Sequence, residues 1–141
     1  VGKRDNTSRR LQTDIESRGY QNVDFYGFAS DDELAWLYEH CAAYVFPTFM
    51  EGFGLPPLEA MRHGAPVASS NATCLPEVLG SAASYFNPAD SQQMADVINQ
   101  ILINPKHRSE LISAGSKQAA KYSWHRMAQQ TLDIYNKALN S

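Results

Sequence analysis

The run Ala43-Tyr44-Val45-Phe46 is apolar at every position and is cut off by Pro47. A strand without polar alternation must be covered on both faces, which confines the chain to a layered α/β arrangement with a parallel sheet. Two more short runs fit that sheet, Ala-Pro-Val-Ala-Ser over 65–69 and Ala-Ser-Tyr-Phe over 83–86. Between and after them the apolar spacing becomes helical. A proline-opened helix is predicted over 55–63 and stopped by Gly64, and Met94, Val97, Ile98, Ile101 and Leu102 mark an amphipathic helix with a core stripe. Two further helices are predicted over 105–120 and 124–139, the second capped by Ser123, with Trp124, Ile134 and Tyr135 packing the final helices. Strands alternating with helices imply a doubly wound three-layer sandwich with a helical C-terminal end.

The first forty residues continue the alternation. A helix is predicted from Asn6 or Ser8 to Arg18, with Gly19 as its stop. Val23, Phe25 and Tyr26 form a strand-like run ending at Gly27. Ser30-Asp31-Asp32-Glu33 reads as a capping box, opening a helix whose apolar face carries Leu34, Leu37, Tyr38 and Cys41.

Composition narrows the class. At 141 residues the chain has the size of one domain. Twelve basic against fifteen acidic residues give a net charge of −3, which speaks against a general nucleic-acid binder. Lys3, Arg4, Arg9 and Arg10 read as a solvated helix start. No apolar stretch is long enough for a transmembrane helix, and the first residues lack the apolar core of a signal peptide. Cys41 and Cys74 stand in no CxxC pattern, which fits a reducing, cytoplasmic setting.

In parallel α/β sheets ligands bind beyond the carboxyl ends of the strands, so the loops 2–6, 27–31, 48–54 and 70–75 are the places to look. The third is the most unusual: Glu51-Gly52-Phe53-Gly54-Leu55-Pro56-Pro57-Leu58-Glu59. Its glycines permit positive φ and close backbone approach. The amides of Gly54 and Leu55 open a helix whose dipole favours an anion, while Pro56 and Pro57 supply no donors. Glu51 and Glu59 are carboxylates able to accept hydrogen bonds from hydroxyls. A phosphate held between hydroxyl-bearing groups describes a nucleotide sugar. The Glu–x7–Glu spacing alone is weak, because a chain of this composition produces it by chance roughly one time in three. A solvated Glu51 on a turn and Glu59 as a helix-start acid therefore stay open on residue types alone.

Taken together, Phe46-Pro47-Thr48, EGFGLPPLEAM (51–61) and HGAPVASSNATCLPEV (63–78) resemble the donor-binding domain of retaining glycosyltransferases of the GT-B fold, family 4. The likeness extends over almost the whole chain, through VDFYGFAS (23–30), residues 82–88, and the terminal helices with Tyr122-Ser123-Trp124. It implies a Rossmann-like sheet and a metal-independent hexosyltransferase acting with retention. No Asp-x-Asp or His-rich metal spacing is present. Carried over residue by residue, Glu51 would contact donor-sugar hydroxyls as the catalytic carboxylate. Gly52, Phe53, Gly54 and Leu55 would hold the sugar and diphosphate, and Glu59 the ribose. Phe28, Ala29 and Asp31 would lie in the loop that reads the base.

No cofactor is implied beyond the nucleotide-sugar donor, with GDP-mannose preferred over a UDP-hexose. The acceptor implied is a cell-surface polysaccharide or glycolipid. It would be bound by an N-terminal domain outside these residues, and the phosphate-clamping Arg/Lys pair would also lie upstream. On that reading the 141 residues are an inactive part of an enzyme in the cytoplasm, with peripheral contact at the inner face of the membrane open to the full-length protein. The alternative is a non-catalytic nucleotide-binding or protein-interaction module of the same fold. A dinucleotide-binding domain is the weakest reading, since no G-x-G-x-x-G follows a strand.

Overall fold

The computed structural model describes residues 1–140, and the chain forms two units, Val1–Leu37 and Tyr38–Ser141. In the first unit, α1 spans Asn6–Ser17 and begins at an N-cap that sequence reasoning missed. The Asp5 carboxylate accepts from the Ser8 N–H (2.7 Å), while the Ser8 hydroxyl accepts from the Asp5 N–H (2.9 Å). Gly19 follows the helix at φ +74°, the left-handed turn expected of a C-terminal stop. Helix α2, Asp31–His40, begins as predicted with Ser30 and Glu33 capping one another. It ends one residue short of Cys41, whose thiol donates to the Tyr38 carbonyl.

The strand expected at residues 23–26 is absent. A strand exists only with a ladder partner, and the pairing here is a single backbone bond from the Gly2 N–H to the Gly27 carbonyl (2.7 Å). Arg4 takes the Phe25 carbonyl with its side chain instead (2.9 Å).

The second unit holds the sheet. Strands β1 (Tyr44–Phe46), β2 (Val67–Ser70) and β3 (Ala83–Phe86) run parallel in that order, with Val45 opposite Ala68 and Ala68 opposite Ser84. Helix α3 (Leu55–Arg62) connects β1 to β2. A short α4 (Leu75–Leu79) and a 3₁₀ turn (Gly80–Ala82) connect β2 to β3. Helices α5 (Ser91–Ile103), α6 (Pro105–Ala119) and α7 (Trp124–Leu139) follow.

Side chains alternate across the pleat. Ala68 and Phe86 join Ile101 of α5 and Leu111 of α6 in the core cluster, with Val45, Met94, Val97 and Ile98 packed around it. On the opposite face Tyr44 meets Tyr38 edge-on (5.3 Å between ring centres) and stacks with Phe46 (6.1 Å). Residues 67–70 are buried throughout, the pattern of a central strand covered on both sides. Gly115 of α6 lies against Met61 of α3, and a Cβ at Gly115 would stand 3.0 Å from the Met61 Cγ, so this contact depends on the missing side chain.

Two packing expectations fail. Leu102, at the edge of the α5 stripe, is exposed while Ile101 is fully buried. Trp124, Ile134 and Tyr135 are also exposed, and α7 buries none of its residues. Its apolar positions share a face, but that face meets little within the chain. His63 and His107 are half-buried and partnered. His63 Nδ1 lies 3.1 Å from Glu39 and His107 Nε2 2.8 Å from the Ser84 hydroxyl.

Candidate functional site

The loop from β1 to α3 leaves the sheet at its carboxyl end. Pro47 ends the strand, and the Thr48 hydroxyl then closes a tight turn by donating to the Met50 carbonyl (2.8 Å). Phe49 and Met50 project into solvent. Glu51 is half-buried, and its Oε1 accepts from the N–H of Gly52 (3.2 Å). Phe53 packs edge-on against Tyr122, with ring centres 5.6 Å apart. Tyr122 is itself tied down by donating its hydroxyl to the Val78 carbonyl (3.1 Å).

Gly54 is the N-cap of α3 at φ +93°, ψ +49°, and makes no side-chain cap. It is buried, and a Cβ there would come within 2.6 Å of the Leu75 Cδ2. The left-handed backbone and the close approach both require glycine. Pro56 and Pro57 occupy the next helical positions, so the first turn offers few amides. Among the described residues, the N–H groups of Phe53, Gly54 and Leu55 have no protein acceptor. The start of α3 is therefore a short row of unpaired donors at the positive end of a helix dipole, suited to an anion.

Glu59 lies on the exposed side of α3, one turn on. It borders a groove of about 380 Å³ shared by Phe53, Leu55, Arg62, Tyr122 and Trp124. Burial raises the hydroxyl pKa of Tyr38, with the Glu59 charge adding to the effect. Burial also raises that of Tyr44, followed by Tyr38 and then by the carboxylates of Glu59 and Glu51. Tyr44 is the half-buried first residue of β1, and the two glutamates add the smallest part of that rise.

The second loop of the site, after β2, contains a feature that sequence reasoning missed. Thr73 has φ +53°, the one non-glycine residue with positive φ among those described. A β-branched side chain there costs roughly 1–3 kcal/mol, so surrounding contacts must hold it. Its hydroxyl accepts from the Glu51 N–H (3.3 Å) and donates to the Glu51 carbonyl (3.2 Å). The neighbouring Cys74 thiol donates to the same carbonyl (3.4 Å). No motif signals such a contact, because a threonine between Ala72 and Cys74 carries no local code for a left-handed turn.

The structure thus gathers Glu51, Gly52, Phe53, Gly54, Leu55 and Glu59 in the second unit, around the start of α3. Phe28, Ala29 and Asp31 belong to the first unit. Phe28 is 84% exposed with nothing stacked on its ring, and Ala29 is half-buried. Asp31 is the first residue of α2, not a loop residue, and stands in a first turn with Asp32 and Glu33. Glu77, near the loop 70–75, is an exposed residue of α4. No group of three His, Cys, Asp or Glu side chains converges on a possible metal position among the described residues.

Comparison with known proteins agrees with this architecture. The sequence profile described as "Glycosyl transferases group 1" matches residues 1–118. The Escherichia coli protein "Serotype-specific mannosyltransferase WbdA" is 44% identical over 117 residues, 83% of this chain but 14% of that protein. The "O-antigen chain mannosyltransferase B" of Escherichia coli is 39% identical over 113 residues, 80% of this chain and 30% of its own length. The chain therefore spans less than a third of either relative. Among solved structures, Anabaena HepE in complex with UDP and glucose superposes with a TM-score of 0.86 at 23% identity, covering 97% of this chain and 39% of HepE. The parallel three-stranded α/β fold is the Rossmann-like arrangement of the GT-B glycosyltransferases. With a family match over most of its length and a sheet, loop and helix start that agree with it, the chain belongs to the glycosyl transferases group 1 family.

Proposed function

We propose that this chain is the donor-binding domain of a retaining, family 4 hexosyltransferase. It would take a mannosyl unit from a nucleoside-diphosphate sugar, GDP-mannose in preference to a UDP-hexose, and serve a polysaccharide or glycolipid acceptor in the cytoplasm. The acceptor would be held by a further domain of the full-length enzyme. The observation that carries the reading is the start of α3. Unpaired N–H groups of Phe53, Gly54 and Leu55 stand there between the carboxylates of Glu51 and Glu59. The mannosyltransferase names of the relatives and the UDP complex of HepE support it.

In this mechanism the diphosphate lies against the three amides, which stabilise the charge that grows on the leaving group as the glycosidic bond breaks. Glu59 accepts hydrogen bonds from the ribose hydroxyls. Glu51 accepts from the donor-sugar hydroxyls and fixes the anomeric carbon for attack on the retained face. Phe28, Ala29 and Asp31 are assigned to the base. No metal is assigned a role.

Calorimetric titration of the chain with GDP, GDP-mannose, UDP and UDP-glucose tests the reading. One base should be preferred, and Glu59→Ala should weaken nucleotide binding by roughly tenfold, as for loss of a hydrogen bond to a charged group. In the full-length enzyme Glu51→Ala should lower turnover by about 100-fold or more and leave GDP affinity unchanged. An equal, negligible response to all four ligands would favour the protein-interaction module. A preference for UDP would overturn the mannosyl assignment alone.

A further inference from the structure

We infer that Thr73 is a positioning residue for the reaction, acting through the backbone of Glu51. The inference rests on the assignment of Glu51 to the donor sugar. Glu51 sits in a loop whose preceding residues, Phe49 and Met50, are exposed and whose next residue, Gly52, has open space around its Cα. On its own side of the loop the peptide planes meet only local contacts, the Thr48 hydroxyl donating to the Met50 carbonyl (2.8 Å) and Glu51 Oε1 accepting the Gly52 N–H (3.2 Å). The hold that ties them to another part of the fold comes from 22 residues away: the Thr73 hydroxyl accepts the Glu51 N–H and donates to the Glu51 carbonyl, at 3.3 and 3.2 Å. The Cys74 thiol adds a second donor to that carbonyl at 3.4 Å.

One hydroxyl that grips both the donor and the acceptor of a single residue fixes the direction in which its Cα–Cβ bond leaves the chain. Reaching that position requires Thr73 itself to adopt φ +53°. A glycine would take this backbone without strain but would have no hydroxyl to offer. A threonine in this conformation exchanges local ease for a grip on Glu51, the pattern expected where strain serves a site. Positioning at a reacting carbon is sensitive to small displacements, and one of about 1 Å can cost on the order of a hundredfold in rate.

Three substitutions in the full-length enzyme separate this role from a structural one. Thr73→Gly removes the clamp and relieves the positive φ. It should leave the melting temperature equal to or above that of the wild type, while kcat with GDP-mannose falls about 10- to 100-fold. GDP affinity should stay within about twofold, because Glu51 is assigned to the sugar and not the nucleotide. Thr73→Ser keeps the hydroxyl and should restore kcat to within about threefold of wild type. Thr73→Ala should behave as Thr73→Gly does in kcat, which keeps the test available if the glycine variant unfolds. The Glu51→Ala/Thr73→Gly pair should turn over no more slowly than Glu51→Ala alone, since the clamp acts only through Glu51.

Near-normal kcat in both Thr73→Gly and Thr73→Ala, beside a severe loss in Glu51→Ala, would overturn the positioning role and leave the assignment of Glu51 standing. A further loss in the double variant would equally overturn it. Near-normal turnover in Glu51→Ala would instead refute the assignment of Glu51 itself.

Discussion

Gly52 and Gly54 are two residues apart in one motif, yet they meet opposite constraints. Gly54 is buried at φ +93°, and any Cβ would strike Leu75 Cδ2 at 2.6 Å. Gly52 is exposed, its φ is outside the left-handed region, and nothing lies within 4 Å of a built Cβ. Gly54→Ala combines a forbidden φ with overlap in a packed contact and should destabilise the chain by about 2–4 kcal/mol. Gly52→Ala should stay within about 0.5 kcal/mol, as for an exposed surface change. Urea denaturation of the two variants measures both, and equal stabilities would show that the helix start relaxes away from Leu75. At this scale the glycines were legible in the sequence, because a G-x-G before a proline-opened helix announces unusual backbone. The role of Thr73 was not: its conformation is set by Glu51, 22 residues earlier. No local propensity encodes that contact.

Among the elements, the N-terminus of α2 shows how a legible motif acquires an unforeseen partner. Ser30 and Glu33 cap one another as their spacing implies, with Glu33 Oε2 taking the Ser30 N–H at 2.8 Å. The other carboxylate oxygen accepts from the Tyr26 hydroxyl at 2.7 Å, a contact outside the four-residue box. The Tyr26 hydroxyl, followed by the Ser30 donors, lowers the Glu33 carboxyl below its ordinary 4.5. A depressed carboxylate stabilises the fold at pH above 4.5, and that contribution disappears as pH falls through the lowered value. In an NMR pH titration the Ser30 amide should therefore shift with a midpoint below 4.5, and that titration should vanish in Glu33→Gln. A midpoint at or above 4.5 would mean that the Tyr26 bond does not persist in solution. Tyr26 was expected in a strand and instead fastens a cap. A run such as Val-Asp-Phe-Tyr has strand propensity, but propensity supplies no neighbour to pair with.

Across the whole molecule, the alternation of apolar runs and helices was enough to forecast a parallel α/β sheet, although the run 43–46 expected to be covered on both faces is half-buried in β1 and the strand buried throughout is β2. It could not say which amphipathic helices find a partner. The apolar spacing of α5 and α7 looks equivalent in the sequence, yet Ile101 of α5 is fully buried whereas Trp124 and Leu139 of α7 are 74% and 84% exposed. Periodicity reports which residues share a face; burial depends on what lies opposite that face. The core of Ala68, Phe86, Ile101 and Leu111 is complete without α7. That helix rests on its Ser123 cap, which accepts from the Arg126 N–H at 3.1 Å, and on the Arg126 side chain donating to the Lys121 carbonyl. A 16-residue helix with so little tertiary burial is close to the length at which isolated helices are marginal in water. Ending the chain after Ser123 should therefore lower the melting temperature by no more than about 5 °C, the effect of roughly 1 kcal/mol in a domain of this size. Helical ellipticity should fall by the share of one 16-residue helix, and binding of a hydrophobic dye should fall with the loss of Trp124, Met127, Ile134 and Leu139. In the intact chain the α7 amides should exchange with solvent well before those of β2, which is buried on both faces. A drop of more than about 15 °C, several times that allowance, would show that α7 belongs to the cooperative core. Trp124 and Met127, which line the groove beside Glu59, would then be the residues that carry that coupling.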